Sequence, residues 1–230
     1  MNQRDDSPSR VVFLFDVDNT LLDNDRVAAD LQCHLASEVG PDGAQEYWRI
    51  FEQLRAELGY ADYLGALQRY RAEYPRDPHL LIVSHFLINY SFAARLFPDA
   101  RKVIEHVEQW GPAVILSDGD VVFQPLKIDH SGLAHAVSGR VLIYIHKEQE
   151  LEDVEQRYPA EHYVIVDDKV RILAAVKKFW ASRGTTIFVR QGHYATDQKI
   201  LTSYPAADIS IERIADLLQY NLPDLLAPKI

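Results

Sequence analysis

The stretch "VVFLFDVDNTLLD", residues 11–23, joins an uninterrupted apolar run to a group of polar side chains. An apolar run as short as residues 11–15 predicts a strand that is buried on both faces, as in a parallel sheet. Asp16 and Asp18 follow this run directly. Two carboxylates at the end of a buried strand raise the question of which chemistry needs them there.

The composition restricts the class of protein. The chain has 230 residues, of which 47% are hydrophobic, and this is enough for one substantial core or for a core with a smaller domain. A net charge of −10 argues against a broad basic surface for nucleic acid. Cys33 is the single cysteine, so an intramolecular disulfide is impossible, which suits a reducing compartment.

The first ten residues and the hydropathy of the sequence indicate where in the cell the protein is expected. Residues 1–10 lack the apolar segment of a secretory signal, and we expect them to form a frayed tail before the first strand. No stretch has the length and apolarity of a membrane span. We therefore expect a cytoplasmic protein without a membrane partner.

The pattern along the chain changes twice. Residues 24–90 contain apolar positions at helical spacing, separated by glycine and proline stops. From about residue 91 onward, apolar strands alternate with helices, which indicates βαβ units and a parallel sheet. The sequence predicts an α/β fold: a doubly wound, Rossmann-like core over residues 1–23 and 91–230, with an all-helical domain over residues 24–90 inserted after the first strand.

Polar residues end four of the predicted strands. In an open α/β sheet, ligands bind beyond the carboxyl ends of the strands, so these residues are expected along one rim. They are Asp16 and Asp18 on the first strand, Ser117, Asp118, Gly119 and Asp120 on the second, His146 and Lys147 on the third, and Asp167 and Asp168 on the fourth.

The chemistry of this rim favours a divalent cation. Crowded carboxylates repel one another, and the repulsion raises pKa values unless a cation offsets it. Ligands that are all oxygens suit Mg²⁺, which prefers phosphate-bearing substrates. A lysine, a hydroxyl and the backbone N–H groups near Gly119 complete the parts that stabilise a transferring phosphoryl group. Lys147 is the preferred lysine, with Lys127 and Lys169 as alternatives.

These motifs resemble those of the haloacid dehalogenase superfamily over nearly the whole chain. The first motif of that family, DxDx[TV], matches residues 16–20, and the second, a serine or threonine that ends a strand, matches Ser117. The third motif is a lysine, matched by Lys147, and the fourth is an acidic pair, matched by residues 167–168. The helical insert looks like the helical cap of the family. One departure is Glu148, because many members have proline after the motif lysine.

The resemblance implies roles for the acidic residues. Asp16 would attack phosphorus and form an aspartyl-phosphate, while Asp18 would protonate the leaving oxygen and then deprotonate the hydrolytic water. The side chain of Asp16, the backbone carbonyl of Asp18 and the acidic pair would hold Mg²⁺. Within that pair, we favour Asp168 as a direct ligand of the metal. Asp167 would be either a second direct ligand or a residue that contacts the ligands without touching the metal.

The resemblance also implies how the substrate is held. Ser117 and Lys147 would bind phosphoryl oxygens, and the lysine would offset the charge of the nucleophile. Thr20, Asp118 and Gly119 are the further candidates for substrate binding. Specificity would come from the cap, where residues 58–66 form either a loop that faces the site or an ordinary helix junction.

The predicted function is a magnesium-dependent hydrolase of a small phosphomonoester. A phosphomutase on the same core, a 2-haloacid dehalogenase, and a non-catalytic binding protein with this fold are the alternatives. Dehalogenases of the family lack an acid two residues after the nucleophile, so Asp18 favours phosphoryl chemistry. The intact acidic set argues against a protein that only binds.

Overall fold

The computed structural model describes residues 9–226, and the tail expected at the N-terminus lies largely outside the described residues. Six strands form one parallel sheet in the order β3-β2-β1-β4-β5-β6. The strands are β1 (Ser9–Phe15), β2 (Ala113–Asp118), β3 (Val141–Tyr144), β4 (Ala160–Asp167), β5 (Gly184–Val189) and β6 (Ile209–Ile211). The predicted doubly wound sheet is confirmed.

The first strand lies near the centre of the sheet because both of its faces are apolar. Val11, Phe13 and Phe15 belong to the core on one face, whereas Val12 and Leu14 belong to the core on the other. Each of these side chains is at most 1% exposed. Helices cover both faces, and this arrangement is the one in which a parallel sheet is stable.

The described residues contain eleven α-helices. They are α1 (Asn24–Glu38), α2 (Gly40–Leu58), α3 (Tyr63–Glu73), α4 (Leu80–Ile88), α5 (Ala100–Val107), α6 (Phe123–His130), α7 (Leu133–Ala136), α8 (Leu151–Arg157), α9 (Val170–Trp180), α10 (Gln198–Ser203) and α11 (Leu222–Leu226). The first four follow one another between β1 and β2, as the sequence predicted for an inserted helical cap. The boundaries at residues 23/24 and 90/91 remain predictions.

The chain enters and leaves the helical cap through two adjacent segments. Leu22 and Leu96 form an antiparallel bridge, and the backbone N–H of Phe97 donates to the carbonyl of Leu21 at 2.9 Å. The backbone N–H of Asp23 donates to the carbonyl of Arg95 at 2.8 Å. The cap is therefore attached to the sheet by paired backbone close to the first motif.

The end of α2 approaches the core closely. Gly59 ends this helix with a φ of 82°, a conformation that favours glycine. A Cβ atom there would lie 2.8 Å from Cε1 of His146, which follows β3. A side chain at position 59 would therefore strain the backbone and force the imidazole of His146 to move.

Two elements differ from the sequence interpretation. The third strand ends at Tyr144, so Lys147 begins a 3₁₀ turn (Lys147–Gln149) instead of ending the strand. The last of the strands and helices that alternate along the predicted core is also different, because the short β6 is followed by a 3₁₀ segment, Ile214–Gln219, and not by an α-helix. A three-residue strand at the edge of a sheet has too little sequence to show a pattern. Within the described residues, no helix combines the length and apolarity that crossing a membrane requires.

Candidate active site

The backbone turns sharply after β1, and this turn places the first two acids. Val17 is fully buried, and its carbonyl accepts hydrogen bonds from the N–H groups of Leu21 and Leu22 at 3.0 and 2.9 Å. Asn19 has a φ of 60°, which is uncommon for a residue with a side chain. The side chain of Asp16 is buried, whereas that of Asp18 is 25% exposed.

Three of the predicted acids meet beneath the rim of the sheet. Asp16, Asp167 and Asp168 each offer a carboxylate oxygen, and these oxygens lie within 4.8 Å of one another. All three residues are buried, with exposed fractions of 3% or less. We call these residues the acid cluster.

Lys147 joins the acid cluster although it lies beyond the end of its strand. Its Nζ lies 2.5 Å from Oδ1 of Asp16 and 2.6 Å from Oδ2 of Asp167. Burial opposes the positive charge, but the carboxylates of Asp16, Asp167 and Asp118 outweigh it and raise the pKa of Lys147. The structure therefore brings Lys147, and not Lys127, to the expected nucleophile.

Several oxygens of the acid cluster have no hydrogen-bond partner in the described structure. They are Oδ2 of Asp16, Oδ2 of Asp167 and both carboxylate oxygens of Asp168, although Oδ2 of Asp167 also lies in an ion pair. Asp167 differs, because its Oδ1 accepts the backbone N–H of Lys169 at 2.8 Å and its Oδ2 contacts Lys147. Buried carboxylate oxygens without partners fit a hard divalent cation such as Mg²⁺.

Burial also opposes the negative charges of the acidic pair. It raises the pKa of Asp168 well above the usual value, and it raises the pKa of Asp167 as well, against the lowering effect of Lys147. A bound divalent cation would favour the ionised forms and reverse these shifts. The electrostatics and the partnerless oxygens thus point to the same kind of ligand.

The second motif is held by a residue that the sequence interpretation did not single out. Nε2 of Gln124, on α6, donates to Oγ of Ser117 at 2.8 Å and lies 3.3 Å from Oδ2 of Asp18. Among residues 9–226, the hydroxyl of Ser117 donates only to the carbonyl of Asp118, over a long 3.3 Å. Its proton is therefore available to a ligand oxygen.

Asp18 is held by a buried lysine. Nζ of Lys127 lies 2.7 Å from Oδ1 of Asp18 and 2.9 Å from Oδ1 of Asn24, and the lysine is 2% exposed. The sequence interpretation considered Lys127 only as a substitute for Lys147. A signal was present, since Gln124 and Lys127 are three residues apart and therefore share one face of a helix.

The candidate substrate residues lie at different depths. Asp118 and Gly119 line the cavity described below, and Oδ1 of Asp118 accepts the backbone N–H of Lys147 at 2.7 Å. Burial raises the pKa of Asp118. Thr20 is fully buried in the turn, its hydroxyl has no hydrogen-bond partner in the described structure, and it is absent from the cavity wall.

Glu148, the departure from the family pattern, is buried beside the site. Its carboxylate pairs with the guanidinium of Arg171 on α9, and its side chain is 8% exposed. Burial raises the pKa of Glu148, but the hydrogen bond from Arg171, a backbone hydrogen bond and the charge of Arg171 together outweigh it, and the net shift is downward. The ion pair ties the turn that carries Lys147 to the first turn of α9.

A cavity of about 370 Å³ borders this site, and its wall includes Asp18 but not the acid cluster, Ser117 or Lys147. Its floor includes Asp18, Asp118, Gln124 and Lys127 from the core side, and residues between Trp48 and Tyr63 form the side contributed by the cap. The segment over residues 58–66 contributes Gly59, Tyr60, Ala61 and Tyr63 to the wall, so it faces the site. A ligand in this cavity would touch both the strand ends and the helical cap.

Comparison with known proteins gives a consistent picture. The haloacid dehalogenase-like hydrolase family matches residues 11–215. A solved structure from Burkholderia xenovorans LB400, assigned to the haloacid dehalogenase-like hydrolases, is 61% identical with a TM-score of 0.89, over 93% of this chain and 100% of that one. The comparison with curated proteins found no match.

Two more distant structures share the fold. L-2-haloacid dehalogenase from Xanthobacter autotrophicus is 20% identical with a TM-score of 0.59, over 92% of this chain and 97% of that one. The hydrolase YfnB from Bacillus subtilis, bound to magnesium, is 18% identical with a TM-score of 0.57, over 93% and 98% of the two chains. At these identities the similarity concerns the fold alone.

Proposed function

Because the chain belongs to the haloacid dehalogenase-like hydrolases, we propose that it is a magnesium-dependent phosphatase of a small phosphomonoester. The observation that carries this proposal is the acid cluster with its partnerless oxygens on Asp16 and Asp168. A second acid, Asp18, lies in the wall of the cavity beside it. A two-step transfer of a phosphoryl group needs one carboxylate as nucleophile and a second that carries protons.

The first step uses both acids. A carboxylate oxygen of Asp16 forms a bond to phosphorus while the bond between phosphorus and the leaving oxygen breaks. Asp18 donates a proton to that leaving oxygen, and Lys127 and Gln124 hold its carboxylate in position. The products of this step are the free alcohol and an aspartyl-phosphate on Asp16.

The second step regenerates the enzyme. Asp18, now ionised, takes a proton from water, and the water oxygen attacks phosphorus. The bond between phosphorus and Asp16 breaks, which releases inorganic phosphate. In both steps Lys147 offsets the charge of Asp16, and the hydroxyl of Ser117 is free to donate to a phosphoryl oxygen.

The acid cluster would hold the metal. Asp168 and Asp16 have free oxygens for it, the backbone carbonyl of Asp18 is a further candidate, and Asp167 is already engaged by Lys147 and by the backbone of Lys169. When bound, Mg²⁺ supplies positive charge that offsets the charge of the phosphoryl oxygens. The arrangement favours Asp168 as a direct ligand and Asp167 as its support.

A second candidate function is that of a 2-haloacid dehalogenase, because one structure with the same fold is such an enzyme. That reaction would use Asp16 without a metal and would have no task for Asp18. A buried lysine that holds Asp18 in the cavity argues for phosphoryl chemistry. A phosphomutase would share the acids and would differ in the fate of the phosphoryl group.

The test measures released phosphate from 4-nitrophenyl phosphate and from a panel of phosphorylated metabolites. Turnover is expected with Mg²⁺, loss with chelator, recovery when Mg²⁺ returns, and no turnover by Asp16→Asn. Chloride release from 2-chloropropionate in chelator, with no phosphate release, would establish the dehalogenase instead. Isomerised sugar phosphate without released phosphate would establish the mutase.

A further inference from the structure

Arg55, on α2, differs from the other cationic side chains of the cavity wall. The others are each engaged by acids of the protein: Lys127 by Asp18, Arg171 by Glu148, and Lys169 by the charges of the acid cluster. The nearest carboxylate to Arg55 belongs to Glu52, at 3.6 Å, which is outside hydrogen-bond distance. The side chain of Glu52 is also 62% exposed, so water screens this pair.

The guanidinium of Arg55 is nonetheless held in place. It donates through Nη2 to the hydroxyl of Tyr194, on the 3₁₀ turn that follows β5. This hydroxyl is neutral, so it orients the guanidinium without cancelling the charge. A guanidinium has five N–H donors, and the described structure bonds only one nitrogen of this one.

The side chains around Arg55 strengthen its attraction for an anion. Phe51 and Tyr63 stack with their ring centroids 4.7 Å apart, and Trp48 meets Phe51 edge-on at 5.1 Å. All three aromatic residues line the same cavity as Arg55. Apolar walls lower the local dielectric, so an anion in the cavity would be attracted more strongly than in water.

The remaining acids of the wall do not neutralise Arg55. Asp25 is bonded to His193, through both the ring and the backbone N–H, and to the amide of Asn19. Asp118 accepts the backbone N–H of Lys147. An oriented guanidinium with free donors in an aromatic cavity is a receptor for a planar or tetrahedral oxyanion.

We infer that the substrate carries a second oxyanion, a carboxylate or a second phosphate, at its end remote from the reacting phosphoryl group, and that Arg55 binds it. The inference rests on the proposed function, because the acid cluster must take the first phosphoryl group. It assigns a specificity-determining role to a cap residue that no motif indicates. Tyr194 acts as a positioning residue for Arg55.

The experiment uses two matched series of probes, which differ in the distance between the phosphoryl group and the remote group. The short series is glycerol 3-phosphate, 3-phosphoglycerate and glycerol 1,3-bisphosphate. The aromatic series is phenyl phosphate, 4-carboxyphenyl phosphate and 1,4-phenylene bisphosphate. Within each series the remote group is neutral, a carboxylate or a second phosphate, and this comparison distinguishes the two sources of the oxyanion.

Binding is measured by calorimetry with Mg²⁺ on Asp16→Asn protein, which forms no phosphoenzyme. In at least one series, a probe with a remote oxyanion should bind about tenfold or more tightly than the neutral probe. Adding Arg55→Met should reduce this ratio to below about threefold. The ratio is taken within one protein, so a weaker phosphoryl site affects all probes alike.

The matched control is Arg49→Met, on the same helix, because Arg49 pairs with Glu46 on the surface and is absent from the cavity wall. It should keep the full ratio. Tyr194→Phe keeps the ring, removes the hydroxyl that orients Arg55, and should lower the ratio about threefold. The absence of any advantage in both series, or an advantage that survives Arg55→Met, would overturn the inference. If the wild type releases no phosphate, the proposed function is wrong. The role of Arg55 is then decided separately, by the calorimetric comparison of the probes.

Discussion

Nζ of Lys127 lies 2.7 Å from Oδ1 of Asp18, and both Asp18 and the lysine line the cavity beside the acid cluster. The lysine side chain is 2% exposed, so water screens this pair little. A buried lysine at this point fixes the direction from which Asp18 meets a leaving group. Asp18, the acid that we propose for the first step, is thus positioned by α6 as well as by the turn that carries it.

Removal of this lysine should affect poor leaving groups most. Lys127→Met is expected to lower kcat/KM by about 10²-fold for an alkyl phosphate, because the transition state then needs a well-placed proton donor. The loss for 4-nitrophenyl phosphate should be several times smaller, since nitrophenolate needs little protonation. Lys102→Met removes a lysine from a surface pair with Asp99 and should change neither. Equal losses on both substrates would mean that Lys127 has only a structural role.

Variants of the two acids of the first motif should differ in whether they accumulate a phosphoenzyme. Asp18→Asn keeps the nucleophile, so it should accumulate aspartyl-phosphate on 4-nitrophenyl phosphate because hydrolysis lacks its base. Asp16→Asn should accumulate none. Rapid quench followed by intact-protein mass measurement detects the adduct, and an adduct on the Asp16→Asn protein would contradict the assigned roles.

Asp167 and Asp168 should contribute unequally to the affinity for Mg²⁺. Both oxygens of Asp168 lack protein partners, whereas Asp167 is engaged by Lys147 and by the backbone of Lys169. Asp167→Asn is expected to weaken Mg²⁺ binding by about 10–100-fold, as for a group behind the ligands, and Asp168→Asn should weaken it more. Calorimetric titration of Mg²⁺ measures both affinities without turnover. A larger defect in Asp167→Asn would reverse the order.

The ion pair of Glu148 and Arg171 should stabilise the turn of Lys147. Glu148→Gln is expected to lower the free energy of unfolding by about 1–3 kcal/mol, since the charged hydrogen bond is lost. The pKa of Glu148 is lower in the folded chain than its ordinary value of 4.5. The stabilisation is therefore present above about pH 4.5 and is lost as pH falls through the folded pKa.

Urea unfolding at several pH values checks this expectation. The gap between wild type and Glu148→Gln should be constant near neutral pH and should close in acid. Glu150→Gln, a neighbouring exposed acid, serves as the control and should unfold like the wild type. A gap that does not depend on pH would show that the charge of Glu148 does not matter.

The sequence predicted the parts of the site that a strand carries to its own end. Asp16 follows an apolar run directly, and Asp168 follows one after Asp167, so the rule for parallel sheets predicts that they lie on one rim. The structure places Lys147 beside Asp16, although the strand stops three residues earlier and a 3₁₀ turn carries the lysine, and its role in the site stays a prediction. A motif can therefore be recognised while the element around it is misjudged.

The sequence could not predict the groups that reach the site from helices. The partnership of Gln124 and Lys127 with Asp18 depends on how α6 is rotated against β1, and a helical pattern does not contain that angle. The contact between Arg55 and Tyr194 joins positions 139 residues apart on two different elements. Such pairings follow from packing, which no local propensity encodes.

The order of strands has a consequence for how the molecule assembles during synthesis. β1 is made first, but it pairs with β2 about a hundred residues later and with β4 later still. Until β4 emerges, an apolar strand lies with one edge open, and such an edge is prone to pair with other chains. Pulsed hydrogen exchange during refolding should show the amides of β1 and β4 becoming protected together. Asp16 thus lacks its full set of charged neighbours until residues 167–169 have been translated, so the acid cluster cannot assemble before roughly three quarters of the described chain has been made.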